Sequence, residues 1–244
     1  MAPAAAESQE VPALTGVRRE LRTVLTFEPG GSQAPEFLLA WDFDGDGRKE
    51  MLFGGKDAEL ILTRCDGAVV WRVKLKGDLK DTKIINCTAG RFLSPDRWDI
   101  CVNVAFRQEY VNELVMVKAD TGDVVWRKND GHGSGLVPVE GGAGIKQLEN
   151  DGRDDLLFLS GSMVVAVDGA TGRHIYEKKE LGPIIGTEWV GFGQLTLADV
   201  DGDGEDELYL SGIWGINGGA IKRRGGEWTT VWRDYYGNFT PIGT

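Results

Sequence analysis

An acidic, glycine-containing segment occurs twice in this chain of 244 residues, as WDFDGDGRKEMLFGG at 41–55 and as LADVDGDGEDELYLSG at 197–212. Four carboxylates crowded into one short loop repel each other unless a cation lies between them. Ca²⁺ takes about 6–8 oxygen ligands from a flexible loop. Both copies place acids at loop positions 1, 3, 5 and 9: Asp42, Asp44, Asp46 and Glu50 in the first acidic loop (42–50), and Asp199, Asp201, Asp203 and Glu207 in the second acidic loop (199–207).

Glycines inside the two loops allow the chain to turn tightly, because a residue without a Cβ atom tolerates backbone conformations that others avoid. These glycines are Gly47 and Gly204. The carbonyl groups of the residues that follow, Arg48 and Glu205, are then expected to supply one backbone ligand each. The sequence therefore predicts two calcium sites.

The flanks of the loops exclude an EF-hand, which needs a bidentate Glu at position 12 and a helix on each side. Position 12 is Phe53 in the first loop and Leu210 in the second. Short apolar runs surround both loops: EFLLAW and GQLTLA before them, MLF and LYL after them. Such runs are typical of buried strands, so the repeated unit is strand–calcium loop–strand.

Two weaker copies of the loop appear when the chain is aligned on the acids. One has Gln147 and Glu149 at positions 1 and 3 and keeps Asp151 and Asp155, so metal binding there stays open. The other keeps only an acid at position 9, Asp99, and has Arg91 at position 1. An arginine opposes a divalent ion, and we predict no metal in that copy.

A hairpin with a shared aromatic position follows every loop: CDGAVVWR, DTGDVVWR, ATGRHIYE and GEWTTVWR. Another short apolar run separates loop from hairpin, so each repeat of about 50 residues holds about four strands, as in a β-propeller blade. The sequence predicts an all-β, β-propeller-type fold with about four blades of short antiparallel strands. The aromatic residues are expected to pack between blades rather than to stack on a sugar: Trp71, Trp126, Tyr176 and Trp232.

The D-x-D-G-D-G-x-x-E loop between strands resembles the FG-GAP/VCBS repeat, as in the integrin alpha-chain propeller, and the DTGDVVW hairpins resemble quinoprotein blades. The resemblances span about residues 36–240. They imply a calcium-binding propeller whose ligands are the eight loop acids named above. They imply little about activity, because propellers host many unrelated functions.

The expected organisation is a disordered leader at 1–20 and one repeat domain at 21–244, with repeats near 36–83, 84–138, 139–190 and 191–244. Four repeats are few for a propeller. The chain is therefore either a four-bladed or partly open assembly, or a piece of a longer protein. The ending NFTPIGT fits a strand that leads into a further calcium loop, and equally one that pairs with the first repeat.

Charge and hydropathy exclude some function classes. The net charge is −11 and the chain has no basic stripe, so nucleic-acid binding is not expected. The nearest basic run, Lys222-Arg223-Arg224, is expected to be a solvated turn. No apolar stretch is long enough to predict a membrane span. The N-terminus does not have the pattern of an intact signal peptide. Calcium loops of this kind nevertheless indicate an extracellular or periplasmic location.

The three cysteines leave the redox state open. Cys87 and Cys101 fall at comparable strand edges, so a disulfide between them and three buried free thiols are both compatible with the sequence.

No catalytic motif stands out. His132 lies in a glycine-rich loop, and His174 replaces a valine of the sister repeats. The preferred hypothesis is a calcium-stabilised binding or adhesion module without catalysis, whose ligand is an unidentified protein or polysaccharide. The alternative is a calcium-dependent polysaccharide lyase, to which His132, Tyr110, Arg107 and the segment 232–236 would contribute a base and a charge neutraliser. A quinone-dependent dehydrogenase is a third hypothesis, without recognisable cofactor residues.

Overall fold

The computed structural model of the chain describes residues 38–54, 58–75, 82–106, 111–131, 133–140, 151–160, 163–175, 179–180, 191–199, 201–203, 206–214, 218–224, 227–235 and 238–241. In this part of the chain the regular structure is almost all β, in four antiparallel sheets. Among the described residues, none forms a helix with the length and apolar character needed to cross a membrane.

The first two sheets each contain four strands in chain order. The first sheet consists of β1 (Leu38–Trp41), β2 (Glu50–Gly54), β3 (Glu59–Thr63) and β4 (Val69–Lys74). The second consists of β5 (Thr82–Ser94), β6 (Arg97–Phe106), β7 (Val111–Lys118) and β8 (Val124–Gly131).

The last two sheets follow the same meander. The third contains β9 (Gly133–Glu140), β10 (Asp154–Ser160), β11 (Met163–Val167) and β12 (Lys179–Glu180). The fourth contains β13 (Gly191–Ala198), β14 (Glu207–Trp214), β15 (Gly218–Arg224), β16 (Glu227–Tyr235) and β17 (Asn238–Pro241). The third sheet thus begins ahead of the repeat boundary expected near residue 139.

The sheets are arranged as blades. Their first strands contact one another in succession, β1 with β5, β5 with β9 and β9 with β13. This confirms the all-β, propeller-type architecture predicted from the repeat. The terminal strand β17 pairs antiparallel with β16 and so adds a fifth strand to the fourth sheet. It therefore pairs within its own repeat, an arrangement that neither expectation for NFTPIGT included.

Apolar side chains fill the spaces between the blades. Side chains alternate between the two faces of a strand, so β6 serves two cores at once. Ile100, Val102 and Val104 face the first sheet, while Cys101 faces the third. The outermost strand β4 is largely exposed, whereas β3 is buried along nearly its whole length. This gradient is expected when inner strands are covered on both faces.

Two tryptophans join neighbouring blades at their outer strands. The indole N–H of Trp71 donates to the carbonyl of Ala119 at 2.7 Å, and that of Trp126 donates to the carbonyl of Gly169 at 3.0 Å. Each ring also lies against a turn glycine of the next sheet, Gly122 or Gly172, where an added Cβ atom would come within about 3 Å of the ring. The predicted packing role therefore holds for these two tryptophans.

Trp232 is the other aromatic position that the structure describes. Trp232 contacts Tyr209 of its own sheet, with ring centroids 5.5 Å apart. Tyr176 lies outside the described residues.

The possible disulfide between Cys87 and Cys101 is not formed, and all three cysteines are free thiols. The strand register gives the reason. Cys101 pairs with Thr88, whereas Cys87 pairs with Val102, so the two cysteines occupy adjacent pairs and point to opposite faces of the sheet. Burial raises the pKa of the Cys87 thiol to about 12 and that of Cys101 further still. At neutral pH both are small apolar side chains of the core.

Candidate metal centre

The first acidic loop connects β1 to β2 and brings three of its four acids together. Asp42, Asp44 and Glu50 each offer a carboxylate oxygen, and these atoms all lie within 4.8 Å of one another. Asp46, also predicted as a ligand, is not part of this group; it accepts the backbone N–H of Arg48 at 2.7 Å. Three convergent hard oxygens on an exposed loop suit a divalent cation such as Ca²⁺.

The shape of the loop follows from hydrogen bonds between its side chains and its own backbone. The two carboxylate oxygens of Asp42 accept the N–H groups of Gly45 and Gly47 at 2.8 and 3.0 Å. Gly47 has a φ angle of +83°, in the left-handed region that favours glycine. Short Asp side chains stabilise turns in this way, so part of the convergence is encoded locally.

Glu50 fixes the loop to the sheet. It is the first residue of β2 and only 5% exposed, and its Oε2 accepts the backbone N–H of Phe43 at 2.9 Å. The side chain of Phe43 is buried in the core between the first and second sheets. The acid at position 9 therefore holds the start of the loop against the core, in addition to any contact with a metal.

A similar contact occurs in two other repeats, where the acid at position 9 accepts the backbone N–H of loop position 3 instead of position 2. Oδ2 of Asp99 accepts the N–H of Leu93 at 3.0 Å, and Oε2 of Glu207 accepts the N–H of Asp201 at 3.3 Å. Sequence reasoning treated this acid only as a ligand and missed its structural role. The signal was present: Asp99 alone survives in a copy that has lost the other acids.

Asp99 gives a prediction for the pH dependence of stability. Burial raises the pKa of this fully buried carboxyl and outweighs the opposing effects of the Leu93 N–H and of Arg97. An acid with a raised pKa in the folded state stabilises the protein below its unfolded pKa of about 3.9, and this contribution is lost as pH rises through the folded pKa. The stability of Asp99→Asn relative to the parent should therefore increase as pH rises above about 4.

Urea denaturation at several pH values measures this difference. Each unit of pKa shift corresponds to about 1.4 kcal/mol at the high-pH end. Asp123→Asn, at an exposed turn of the same sheet, is the control for the loss of one negative charge. An Asp99→Asn effect independent of pH would show that this carboxyl has an ordinary pKa in the folded protein.

The second acidic loop also brings three carboxylates together. Asp199, Asp201 and Asp203 offer oxygens that lie within 4.8 Å of one another. Oδ1 of Asp199 accepts the N–H groups of Gly202 and Asp203 at 2.7 and 3.1 Å, much as Asp42 does in the first loop. Gly204 and the predicted ligand Glu205 lie outside the described residues.

A lysine from the basic run that was expected to be a solvated turn lies instead on β15, buried, and enters this second cluster. The ammonium group of Lys222, on β15, lies 2.6 Å from Asp203 Oδ1, 2.6 Å from Glu207 Oε1 and 3.5 Å from Asp201 Oδ2. Burial acts to lower the pKa of Lys222, but its hydrogen bonds to Asp203 and Glu207 prevail and the pKa is raised. The second loop thus already contains a positive charge, and its residues fit Ca²⁺ less well than those of the first loop.

The third copy is only partly described, since Gln147 and Glu149 lie outside the described residues. Asp151 forms an ion pair with Arg153 that lowers the pKa of its carboxyl. Asp155 is buried at the start of β10. In the second repeat, Arg91 lies over the ring of Trp98, with its guanidinium carbon 5.2 Å from the ring centroid.

A cleft of about 410 Å³ adjoins the first acidic loop, between the first and second sheets. Its lining combines acids, bases and an aromatic ring, among them Asp44, Glu50, Arg64, Arg97 and Trp98. A small number of convergent polar groups beside an apolar surface is typical of a ligand site. Two of the candidate metal ligands, Asp44 and Glu50, therefore also line the cleft.

Most of the residues assigned to a lyase lie outside the described residues: His132, Arg107, Tyr110 and Tyr236. His174 is exposed and forms an isolated bridge with Val167, as a strand-edge residue would.

Arg48, whose backbone carbonyl is a predicted metal ligand, is exposed on the first loop.

Comparison with solved structures supports the fold. A crystal structure of BBS1N in complex with ARL6DN matches with a TM-score of 0.53 at 12% identity, over 83% of this chain and 55% of that one. The chain has a β-propeller fold. At this level of identity the similarity shows the fold alone, and the chain spans about half of the matched protein.

Two further propeller matches have lower TM-scores. BamB from Moraxella catarrhalis matches at 17% identity with a TM-score of 0.47, over 78% of this chain and 50% of that one. A quinohemoprotein alcohol dehydrogenase from Comamonas testosteroni matches at 15% identity with a TM-score of 0.49, over 80% and 36%. No protein-family model matches the chain, and no curated protein matches it in sequence.

Proposed function

We propose that this propeller is a calcium-stabilised binding module of the FG-GAP/VCBS type, without catalysis, that works outside the cytosol. The observation that carries the proposal is the convergence of Asp42, Asp44 and Glu50 in the first acidic loop. Among the described residues, no ammonium or guanidinium group forms an ion pair with these three carboxylates. Their mutual repulsion therefore calls for a cation from solution, and the oxygen ligand set favours Ca²⁺.

The bound ion would act through rigidity. It would neutralise the three carboxylates and fix the loop between β1 and β2. Because Asp44 and Glu50 also line the cleft beside the second sheet, one wall of that cleft would be fixed with it. Restricting a binding surface before the ligand arrives lowers the entropic cost of association.

The partner is proposed to be a protein or a polysaccharide. Trp98 offers an aromatic surface in the cleft, and Arg97 and Asp44 offer charged groups beside it. The matched BBS1N structure is a complex with another protein, which is consistent with a protein ligand. Extracellular and periplasmic calcium levels suit a loop with few ligands and an exposed position.

Thermal unfolding with Ca²⁺ and with a chelator tests the calcium part, combined with metal content by mass spectrometry. A ligand that binds only the folded state stabilises it by about 2.7 kcal/mol at 100 times its Kd, so Tm should fall clearly on chelation. Asp44→Asn should abolish the calcium-dependent shift. Asp123→Asn, at an exposed turn outside both loops, is the matched control and should retain it. Equal Tm values with and without calcium in the parent would refute the proposal.

Incubation with acidic polysaccharides tests the absence of catalysis. The proposal predicts saturable retention of a ligand without any product. Ultraviolet absorbance from an unsaturated uronate, abolished by His132→Ala, would instead establish the lyase alternative.

A further inference from the structure

We propose that Lys222 takes the place of a metal ion in the second acidic loop, so that the ammonium group of this lysine, and not calcium, neutralises the acids of the loop. The proposal concerns the fourth sheet alone. It stands whether or not calcium occupies the first loop.

The position of Lys222 supports this assignment. Its side chain is almost fully buried, and its ammonium lies between Asp203 and Glu207, 2.6 Å from an oxygen of each, with Asp201 at 3.5 Å. A lysine is almost never buried unless it is paired. Here the three carboxylates surround one compact positive charge. The ammonium group therefore has the electrostatic role that a bound cation would have.

Strand register explains why the lysine reaches this point. Ile221 pairs with Leu208 across β14 and β15, so the next residue, Lys222, lies beside Glu207, the acid at position 9. In the first sheet Thr63 pairs with Met51, which places Arg64 beside Glu50 in the same way. The two acidic loops therefore each have a basic residue at the same place in the sheet.

The two basic residues behave differently. Arg64 is exposed at the wall of the cleft, while Lys222 is buried within the loop cluster. The chemistry of the two groups accounts for this. An ammonium is a compact point charge on a flexible stem, whereas a guanidinium is a wide planar fork. A lysine thus fits among three convergent carboxylates, and the arginine leaves the first loop accessible to a metal.

Calcium content and calcium-dependent melting of three chains test the proposal: the parent, Lys222→Met and Arg64→Met. Removing the ammonium leaves an uncompensated acidic cluster with the ligand types that Ca²⁺ prefers, so Lys222→Met should bind about one calcium ion more than the parent. Its Tm should fall in chelator and recover in calcium. Arg64→Met removes the equivalent exposed base and should add no ion. Equal calcium content in the parent and a folded Lys222→Met would overturn the proposal.

Lysine acetylation of the parent gives a second measurement that does not depend on the folding of any variant. Lys222 should be protected to the same extent in calcium and in chelator, while the exposed Lys49 and Lys74 are modified in both. Calcium-dependent exposure of Lys222 would show that a metal displaces it, and would overturn the proposal.

The two hypotheses are separable by variants of the loop acids. If calcium is bound in the first loop, Asp44→Asn removes it and the pair Asp201→Asn and Asp203→Asn does not. A parent without any calcium would refute the proposed function, yet Lys222→Met should still gain an ion.

Discussion

Trp126→Ala is expected to lower the free energy of unfolding by about 3–5 kcal/mol, the usual cost of truncating a large packed aromatic residue. Trp126 belongs to β8 of the second sheet, but its partners belong to the third. Its indole donates to the carbonyl of Gly169 and its ring lies over Gly172. The substitution removes both the hydrogen bond and the packing between two blades. Urea denaturation measures the change.

Two controls separate the contributions. Trp126→Phe keeps most of the ring but loses the N–H donor. The lost hydrogen bond should lower the free energy of unfolding by about 1 kcal/mol, and the Gly169 carbonyl left without its donor should lower it further. Val125→Ala changes the neighbouring exposed side chain and should stay within about 0.5 kcal/mol of the parent. If Trp126→Ala proved as mild as Val125→Ala, the second and third blades would not be joined through this residue.

Phe92→Ala is expected to lower the free energy of unfolding by a similar amount, about 3–5 kcal/mol. Phe92 is fully buried and occupies position 2 of the copy that lacks the acidic ligands. Its ring packs on two glycines, Gly90 of its own strand and Gly169 of the third sheet, where an added Cβ atom would approach it within 2.6 and 2.7 Å. The second repeat therefore lacks the acids of the first loop but keeps a buried phenylalanine at position 2, where the first loop has Phe43. Truncation of Phe92 leaves a cavity between the second and third sheets.

A variant that adds volume beside Phe92 is the comparison for Phe92→Ala. Gly169→Ala should destabilise the protein by overpacking, typically about 1–3 kcal/mol, because its Cβ atom would also clash with the backbone oxygen of Asp154. Neither variant touches the first acidic loop, so both should retain the calcium-dependent shift of Tm. Loss of that shift in Phe92→Ala would mean that calcium binding in the first loop depends on the packing around Phe92.

Stability is thus expected to come from two separate sources. Contacts between blades, through Trp71, Trp126 and Phe92, hold neighbouring sheets together without a metal. The acidic loops hold the connections inside a blade. Distant sites of this kind usually contribute additively, so combining Asp44→Asn with Trp126→Ala should give close to the sum of the single effects in calcium.

Much of the fold could be predicted from sequence because its signals are local. The repeat of about 50 residues, the short apolar runs and the Gly-containing turns depend on neighbouring residues only. The turn of the first loop is equally local, since Asp42 accepts hydrogen bonds from Gly45 and Gly47. The convergence of Asp42 and Asp44 was therefore predictable from spacing, although the exclusion of Asp46 from the group was not.

Strand register and blade packing decided the rest, because both join residues far apart in the chain. Register placed Lys222 beside Glu207 and put Cys87 and Cys101 on opposite faces of one sheet. Packing between blades selected Gly169 as the partner of Trp126, 43 residues away. The sequence determined by itself that the chain forms propeller blades with acidic loops, since each strand and turn is specified by adjacent residues. Only the tertiary structure decided which of those loops already contains a positive charge, since that charge comes from a neighbouring strand.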